Sequence, residues 1–149
     1  MRKIIYTQKN GIVAIVFPVP KERIEVVLGP MTDEEYATHV WERSVPADAI
    51  NPRYVTDEEV DAAFSDETFR DAWIDDNGIK VDMAKARGIH MDRIRHARNE
   101  KLKELDIETM KGSDVQSQKQ VLRDLPQTLN LSVAKTPEEL KAIWPDQLK

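Results

Sequence analysis

The chain has 149 residues, of which 40% are hydrophobic and 33% charged, a composition typical of a globular protein with a well-solvated surface. Its formal net charge of −5 disfavours nucleic acid as a partner, because phosphate binding usually needs a clustered basic face. It has no cysteine, which excludes disulfides and thiolate zinc sites and fits a reducing compartment. No apolar run is long enough for a signal peptide or a membrane span.

The N-terminal segment has the pattern of a β-hairpin. Residues 3–7 and 12–17 are rich in β-branched and aromatic side chains, and Asn10-Gly11 lies between them. Asn-Gly favours a tight hairpin turn because both residues tolerate positive φ. Pro18 and Pro20 end the second strand, since proline donates no backbone hydrogen bond. Residues 26–28 fit either a third short strand or the end of a helix.

Two capping boxes follow. The first begins at Thr32 and predicts a helix to about Arg43, with Tyr36, Val40 and Trp41 toward the core. Residues 45–52 are expected to form an irregular loop. The second box, residues 56–59, directly follows a strand-like pair, residues 54–55, and we favour a short strand followed by a helical turn. Residues 69–73 read as a short helix or turn, and residues 75–78 as a turn that separates two halves.

The second half is predicted to be helical. A helix over residues 82–110 places Met91, Ile94, Leu102 and Leu105 in one narrow apolar stripe. A second helix, residues 114–125, carries four apolar residues and is expected to stop at Pro126, so the two form an antiparallel helical hairpin. The apolar residues are Val115, Val121, Leu122 and Leu125. A capped short helix from residue 136 ends at residues 144–145. The predicted fold is α+β, with an N-terminal module at residues 1–78 and a helical-hairpin module at residues 79–149.

The sequence offers no recognisable catalytic site. His90 and His96 are six residues apart, which on a helix points them in opposite directions rather than toward one metal. The acidic turn that begins at Asp75 has Ala86 where a calcium loop needs a glutamate. Nucleophile-elbow and glycine-rich phosphate motifs are missing from the sequence. We therefore expect a non-enzymatic protein without metal or cofactor.

Three arginines on the long predicted helix are the best candidates for partner binding. Arg87, Arg95 and Arg98 lie near the face that carries Met91, and Arg98 falls inside the apolar stripe. Their stems could cover the core while the charged groups reach water. One of them could instead pair with an internal carboxylate, for which Asp124 on the returning helix is the natural candidate. The third alternative is a docking site for a partner.

The tryptophans Trp41, Trp73 and Trp144 are expected to pack in the core by default. Trp144 stands near the chain end, where an aromatic side chain could anchor an interface. It therefore joins the three arginines as a candidate partner-binding residue.

Several segments together resemble the bacteriophage tail and tail-fibre assembly proteins. They are residues 1–6, 10–11 with 13–16, 45–46 with 52–55, and 66–73, which contain Thr-Phe-Arg-Asp-Ala-Trp, together with residues 83–98 and 136–145. Residues 118–126 resemble the Leu-Arg-Asp-Leu-Pro signature of phage tail assembly chaperones. The resemblance covers most of the chain except about residues 20–43. The family's Trp-Thr-Gln element is replaced here by residues 105–108.

The resemblance implies a protein that binds tail, tail-fibre or baseplate proteins. It would act either as a chaperone in the host cytoplasm during assembly or as a minor component of the virion tail, and self-association stays open. Neither nucleic acid nor membrane is an expected partner. The alternative is a small regulatory or nucleic-acid-binding protein that uses the arginine-rich helix.

Overall fold

The computed structural model describes residues 2–149 and has an α+β fold. The chain divides into two compact units, Met1–Val81 and Asp82–Lys149. The division lies three residues beyond the predicted boundary. Residues 79–81 belong to the first unit because they form a strand, β5 (Ile79–Val81), that pairs antiparallel with β4 (Trp73–Asp75). No helix within residues 2–149 is both long and apolar enough to cross a membrane.

A three-stranded antiparallel sheet organises the first unit. It contains β1 (Lys3–Thr7), β2 (Val13–Val16) and β3 (Ile50–Val55) in the order β2-β1-β3, which confirms the predicted hairpin. The turn differs from the expected one. Gly11 has a positive φ of 79°, whereas Asn10 does not have a positive φ. The Gly11 N–H donates to the Gln8 carbonyl, and Gly11 then takes the left-handed conformation that completes a three-residue loop.

β3 begins earlier than predicted and contains a bulge. Ile50 pairs with Thr7 and Arg53 with Ile5, so two residues of β3 lie opposite one residue of β1. Asn51 has a φ of 49°, and the next residue is Pro52, which donates no hydrogen bond. The bulge lets the strand accommodate this proline, and the predicted loop is correspondingly shorter.

One face of the sheet carries a hydrophobic core cluster of this unit. Ile5, Val13 and Val55 pack with Val60 of α3 (Asp57–Phe64) and Trp73 of β4. Thr56 caps α3, so strand and helix form in succession, as the sequence favoured. Trp73 lies in a strand rather than in a helix, because the short helix before it, a 3-10 turn, ends one residue earlier.

On the opposite face of the sheet, Tyr54 contacts α2 (Asp33–Ser44), which is preceded in the chain by α1 (Lys21–Leu28). The capping box at Thr32 is complete, with Glu35 returning a hydrogen bond to the Thr32 N–H. Val40 is buried, and Trp41 stacks at a tilt on Tyr54 of β3 with ring centroids 5.3 Å apart. Residues 26–28 are helical, which settles the open choice between a strand and a helix end.

The second unit is built on α4 (Met83–Met110) and α5 (Gln116–Thr128). Leu105 packs with Val115, Leu122 and Leu125 in a helical hairpin. The predicted stop at Pro126 is wrong: α5 continues to Thr128, and Leu129 N–H donates to the Leu125 carbonyl. The helix can pass this proline at the cost of one hydrogen bond near its end. Val121, expected with the apolar face, is 48% exposed.

The C-terminal segment packs on the first half of α4. Leu140 of α6 (Pro137–Ala142) and Ile94 are fully buried. The His90 ring is also buried and shares a 2.7 Å hydrogen bond between Nε2 and the Ile143 carbonyl. The C-terminal segment therefore covers the first half of α4 and α5 covers the second half, where Leu148 near the chain end also packs against the Leu105 cluster.

Candidate functional site

Arg87, the first of the predicted binding residues, is directed into its own unit. Its Nη2 donates to the Ala134 carbonyl at 2.7 Å, and its Nε is shielded from solvent. α4 positions the side chain, and the chain after α5 supplies the acceptor. Arg87 thus connects two segments that are 47 residues apart in the sequence. This contact is internal, although the acceptor is a carbonyl rather than the predicted carboxylate.

Arg95 and Arg98 occupy different settings on α4. Arg95 forms a surface ion pair with Asp92 at 2.9 Å, whereas Arg98 is half-buried and donates to the Asn99 side chain. The predicted partner Asp124 instead accepts two hydrogen bonds from Gln120. The proposed arginine–Asp124 pair is therefore wrong, because the Asp124 carboxylate is bound by Gln120, one turn earlier on the surface of α5. The three arginines do not form one basic face.

Trp144 is half-buried within the second unit. Its indole Nε1 donates to the Leu148 carbonyl at 3.5 Å, and its ring lies edge-on to His90 with centroids 6.0 Å apart. The side chain helps to hold the C-terminal segment on α4. A role of Trp144 or of the three arginines in partner binding stays a prediction.

A second polar contact of this unit was not predicted. Lys119 of α5 is buried, and its Nζ lies 2.8 Å from the carboxylate of Asp106 on α4. The sequence does not indicate this contact. Lys119 belongs to the helix face that also carries the buried Leu122, where a lysine is not expected. The ammonium of Lys119 is thus buried while the carboxylate of Asp106 that pairs with it is 65% exposed, so the pair links α5 to the surface of α4.

Charge is distributed unevenly between the two units. Residues 1–81 hold nine Lys and Arg against sixteen Asp and Glu, a net charge of −7. Residues 82–149 hold thirteen against eleven, a net charge of +2. The acidity of the chain therefore comes entirely from the first unit, and any partner of that unit meets a strongly negative surface.

Helix α1 exposes three of its four large apolar side chains, Ile24 being the exception, while two of its charged side chains are partly covered. Val26 and Val27 are 85% and 80% exposed, and Leu28 is 56% exposed. By contrast, the Lys21 and Glu25 side chains are 26% and 30% exposed. α1 contains no buried residue at all. An ordinary surface helix turns its apolar side inward, so this helix is anomalous.

The contacts of α1 explain this exposure. Lys21 forms an ion pair with Asp33 at the start of α2, at 2.6 Å, and Glu25 accepts a hydrogen bond from the Met31 N–H. The Lys21 ammonium lowers the pKa of the Asp33 carboxyl, and the hydrogen bond to Asp33 raises that of Lys21. These polar contacts orient the helix. Val26 and Val27, which immediately follow Glu25, consequently point away from the protein.

An open cleft of about 650 Å³ lies beside α1 in the first unit. Ala37, Val40 and Pro18 contribute apolar surface, and Tyr36 and Tyr54 contribute aromatic rings. The Tyr36 hydroxyl donates to the Val19 carbonyl at 2.8 Å, and burial raises the pKa of this phenol. The two tyrosines come from different elements, α2 and β3, so only the fold brings them together.

The rim of the cleft carries charged side chains of both signs. Lys21 and Asp33 neutralise each other, and the Arg2 guanidinium lies 5.7 Å from the centre of the Tyr54 ring. Glu22 and Glu34 also line the cleft. Among residues 2–149, neither of these glutamates forms an ion pair. The charged side chains at the rim, Arg2 and Lys21 against Glu22, Asp33 and Glu34, therefore sum to a net charge of −1.

No group of three or more His, Asp or Glu side chains that could hold a metal occurs within residues 2–149. No protein-family model matches the chain, and comparison with curated proteins and with solved structures finds no match. The resemblance to phage tail assembly proteins accordingly stays a prediction, and the geometry of the chain is the basis for proposals about its function.

Sequence reasoning placed the candidate site on α4 and missed α1. The signal was present as three consecutive large apolar residues, Val26-Val27-Leu28, which follow a charged stretch and precede Gly29-Pro30. A strand and a helix end explain such a run equally well, and both would normally bury it. Val26 and Val27 are exposed because the tertiary contacts involve Lys21 and Glu25 instead, and the sequence alone does not show those contacts.

Proposed function

We propose that this protein is a non-enzymatic bacteriophage tail protein that binds other tail, tail-fibre or baseplate proteins. It acts either as an assembly chaperone or as a minor tail component. The observation that supports binding is the run of three exposed apolar side chains at the C-terminal end of α1, Val26, Val27 and Leu28. Contiguous exposed apolar side chains on a charge-rich protein commonly mark an interaction surface.

The charge of the first unit favours a different protein over a second copy as the partner. Two copies meeting through α1 would bring together two units of net charge −7. Like charges at an interface oppose association, whereas a partner with basic side chains around an apolar patch gains from the same field. The proposed partner is therefore a tail or fibre subunit with an apolar surface flanked by Lys or Arg.

Deletion of the gene from the phage or prophage that encodes it tests this role. We expect particles that lack tails or tail fibres in negative-stain electron microscopy. Complementation with the Val26→Asp/Val27→Asp variant should fail, although the variant folds normally by circular dichroism. Val133→Asp provides the control, because Val133 is 62% exposed but lies in the second unit. Morphologically normal, infectious particles after deletion would refute the tail role.

The chaperone and the tail-component versions of this role differ in whether the protein is present in the mature particle. Mass spectrometry of purified wild-type particles should find the chain at a fixed copy number if it is a tail component. A chaperone would be found only in the lysate. Either result is compatible with binding through α1 and decides the version.

Nucleic-acid binding through α4 receives less support. Arg87 contacts a carbonyl of its own unit, Arg98 is half-buried, and Arg95 is neutralised by Asp92. A protein that binds phosphates needs several cations on one accessible face. A filter-binding titration on DNA and RNA that gave steep, salt-dependent affinity would reverse this ranking.

A further inference from the structure

The cleft beside α1 combines three properties that point to a class of ligand. It is concave and has a volume of about 650 Å³, its surface includes Val40, Ala37 and the two tyrosines, and its free rim charges are Glu22 and Glu34. Concave apolar sites with a few placed polar groups are typical of binding sites. The aromatic rings provide rigid contact area at low entropic cost.

We infer, on the basis of the proposed protein-binding role, that this cleft holds a linear segment of the partner in which an apolar side chain stands next to Lys or Arg. The apolar side chain packs between Tyr36 and Tyr54. The basic side chain pairs with Glu22 or Glu34 at the rim. Arg2 lies over the Tyr54 ring and Lys21 pairs with Asp33, so neither local cation forms an ion pair with Glu22 or Glu34.

The cleft and the exposed apolar run of α1 are continuous. Glu22 lines the cleft, and Val26 lies one helical turn further along α1, so their side chains are neighbours on the same helix surface. A partner that covers Val26 can therefore extend a segment past Glu22 into the cleft. Charge complementarity favours a basic segment, because the unit that forms the cleft has a net charge of −7.

The test uses the full chain and a randomised library of 12-residue peptides, so it does not depend on any phage component. Peptides selected on the wild-type protein should be enriched in an apolar residue adjacent to Lys or Arg. Fluorescence anisotropy with an enriched peptide then measures affinity. Glu22→Lys/Glu34→Lys should weaken binding on the order of tenfold, because it removes the ion pair with either glutamate and places two cations next to the basic side chain of the peptide. The salt dependence of binding should decrease in this variant.

Two further variants separate the cleft from general electrostatics. Ala37→Trp fills the cleft and should abolish binding, whereas Glu42→Lys is the control, since Glu42 is exposed on the same helix but is not among the residues that line the cleft. Selected peptides without basic enrichment, or binding that survives both Ala37→Trp and Glu22→Lys/Glu34→Lys, would overturn the inference. If binding depends on the cleft but particles are normal after gene deletion, the peptide-binding inference stands and the proposed tail role is refuted.

Discussion

The guanidinium of Arg53 holds the carboxylate of Asp75 by two hydrogen bonds, 2.9 Å from Nε and 2.7 Å from Nη2. The same guanidinium also contacts Glu59, at 2.6 Å from Nη2 and 3.2 Å from Nη1. One side chain of β3 thereby fixes α3 and β4 against the sheet. Only 8% of the Asp75 side chain is exposed, so its charge depends on Arg53 for compensation.

Arg53→Met should destabilise the first unit by about 2 kcal/mol. Loss of one partner from a buried ion pair costs about 3–5 kcal/mol, and the partial exposure of Arg53 reduces this figure. Urea unfolding followed by circular dichroism measures the change. Lys80→Met is the matched control, because the Lys80–Asp76 pair is exposed at both ends and should contribute less than about 1 kcal/mol. Equal effects of the two substitutions would contradict a structural role for Arg53.

The Arg53–Asp75 pair also predicts a pH dependence. Hydrogen bonding to Arg53 lowers the pKa of the Asp75 carboxyl in the folded protein. Its stabilising contribution is therefore complete above the ordinary carboxyl pKa of about 4 and is lost as the pH falls through the lowered folded value. The difference in Tm between the wild type and Asp75→Asn should be largest near pH 7 and narrow toward pH 3. A difference that stays constant over this range would show that the charge of Asp75 does not matter.

The buried Lys119 and its partner Asp106 should respond asymmetrically to substitution. Asp106→Ala leaves the ammonium buried without a carboxylate and should cost about 1–3 kcal/mol. Lys119→Met removes the buried charge and keeps the aliphatic length, so it should be neutral or stabilising. Chemical denaturation of both variants and of the double variant gives the coupling free energy. Equal destabilisation by the two single substitutions would indicate that the pair itself, rather than burial of the lysine, determines stability.

Thr32 should stabilise the start of α2 through its completed capping box. Thr32→Ala removes the side-chain acceptor for the Glu35 N–H and should cost about 1 kcal/mol, whereas Thr32→Ser should retain most of the stability. Thermal unfolding of the three proteins checks this order. A serine variant as unstable as the alanine variant would point to loss of the threonine methyl contact instead of the cap.

Local signals were sufficient for much of the fold. The hairpin of β1 and β2, the caps at Thr32 and Thr56 and the helical second half follow from residues that are close in sequence. Turn propensity, capping and helical periodicity act over a few residues, so a single sequence contains them. The errors at Pro126 and Val121 arose where packing and neighbouring hydrogen bonds outweighed a local preference.

The sequence by itself therefore determined the α+β class, the N-terminal hairpin, the helical second half and the arginine-rich character of α4. Tertiary structure alone decided which side of each element is covered. It directed Arg87 toward the Ala134 carbonyl, paired Lys21 with Asp33 of α2 and Glu25 with the Met31 N–H, and left Val26 and Val27 exposed. The physical reason is that a helix has the same local hydrogen bonds whichever side packs inward, so contacts between distant residues select that side.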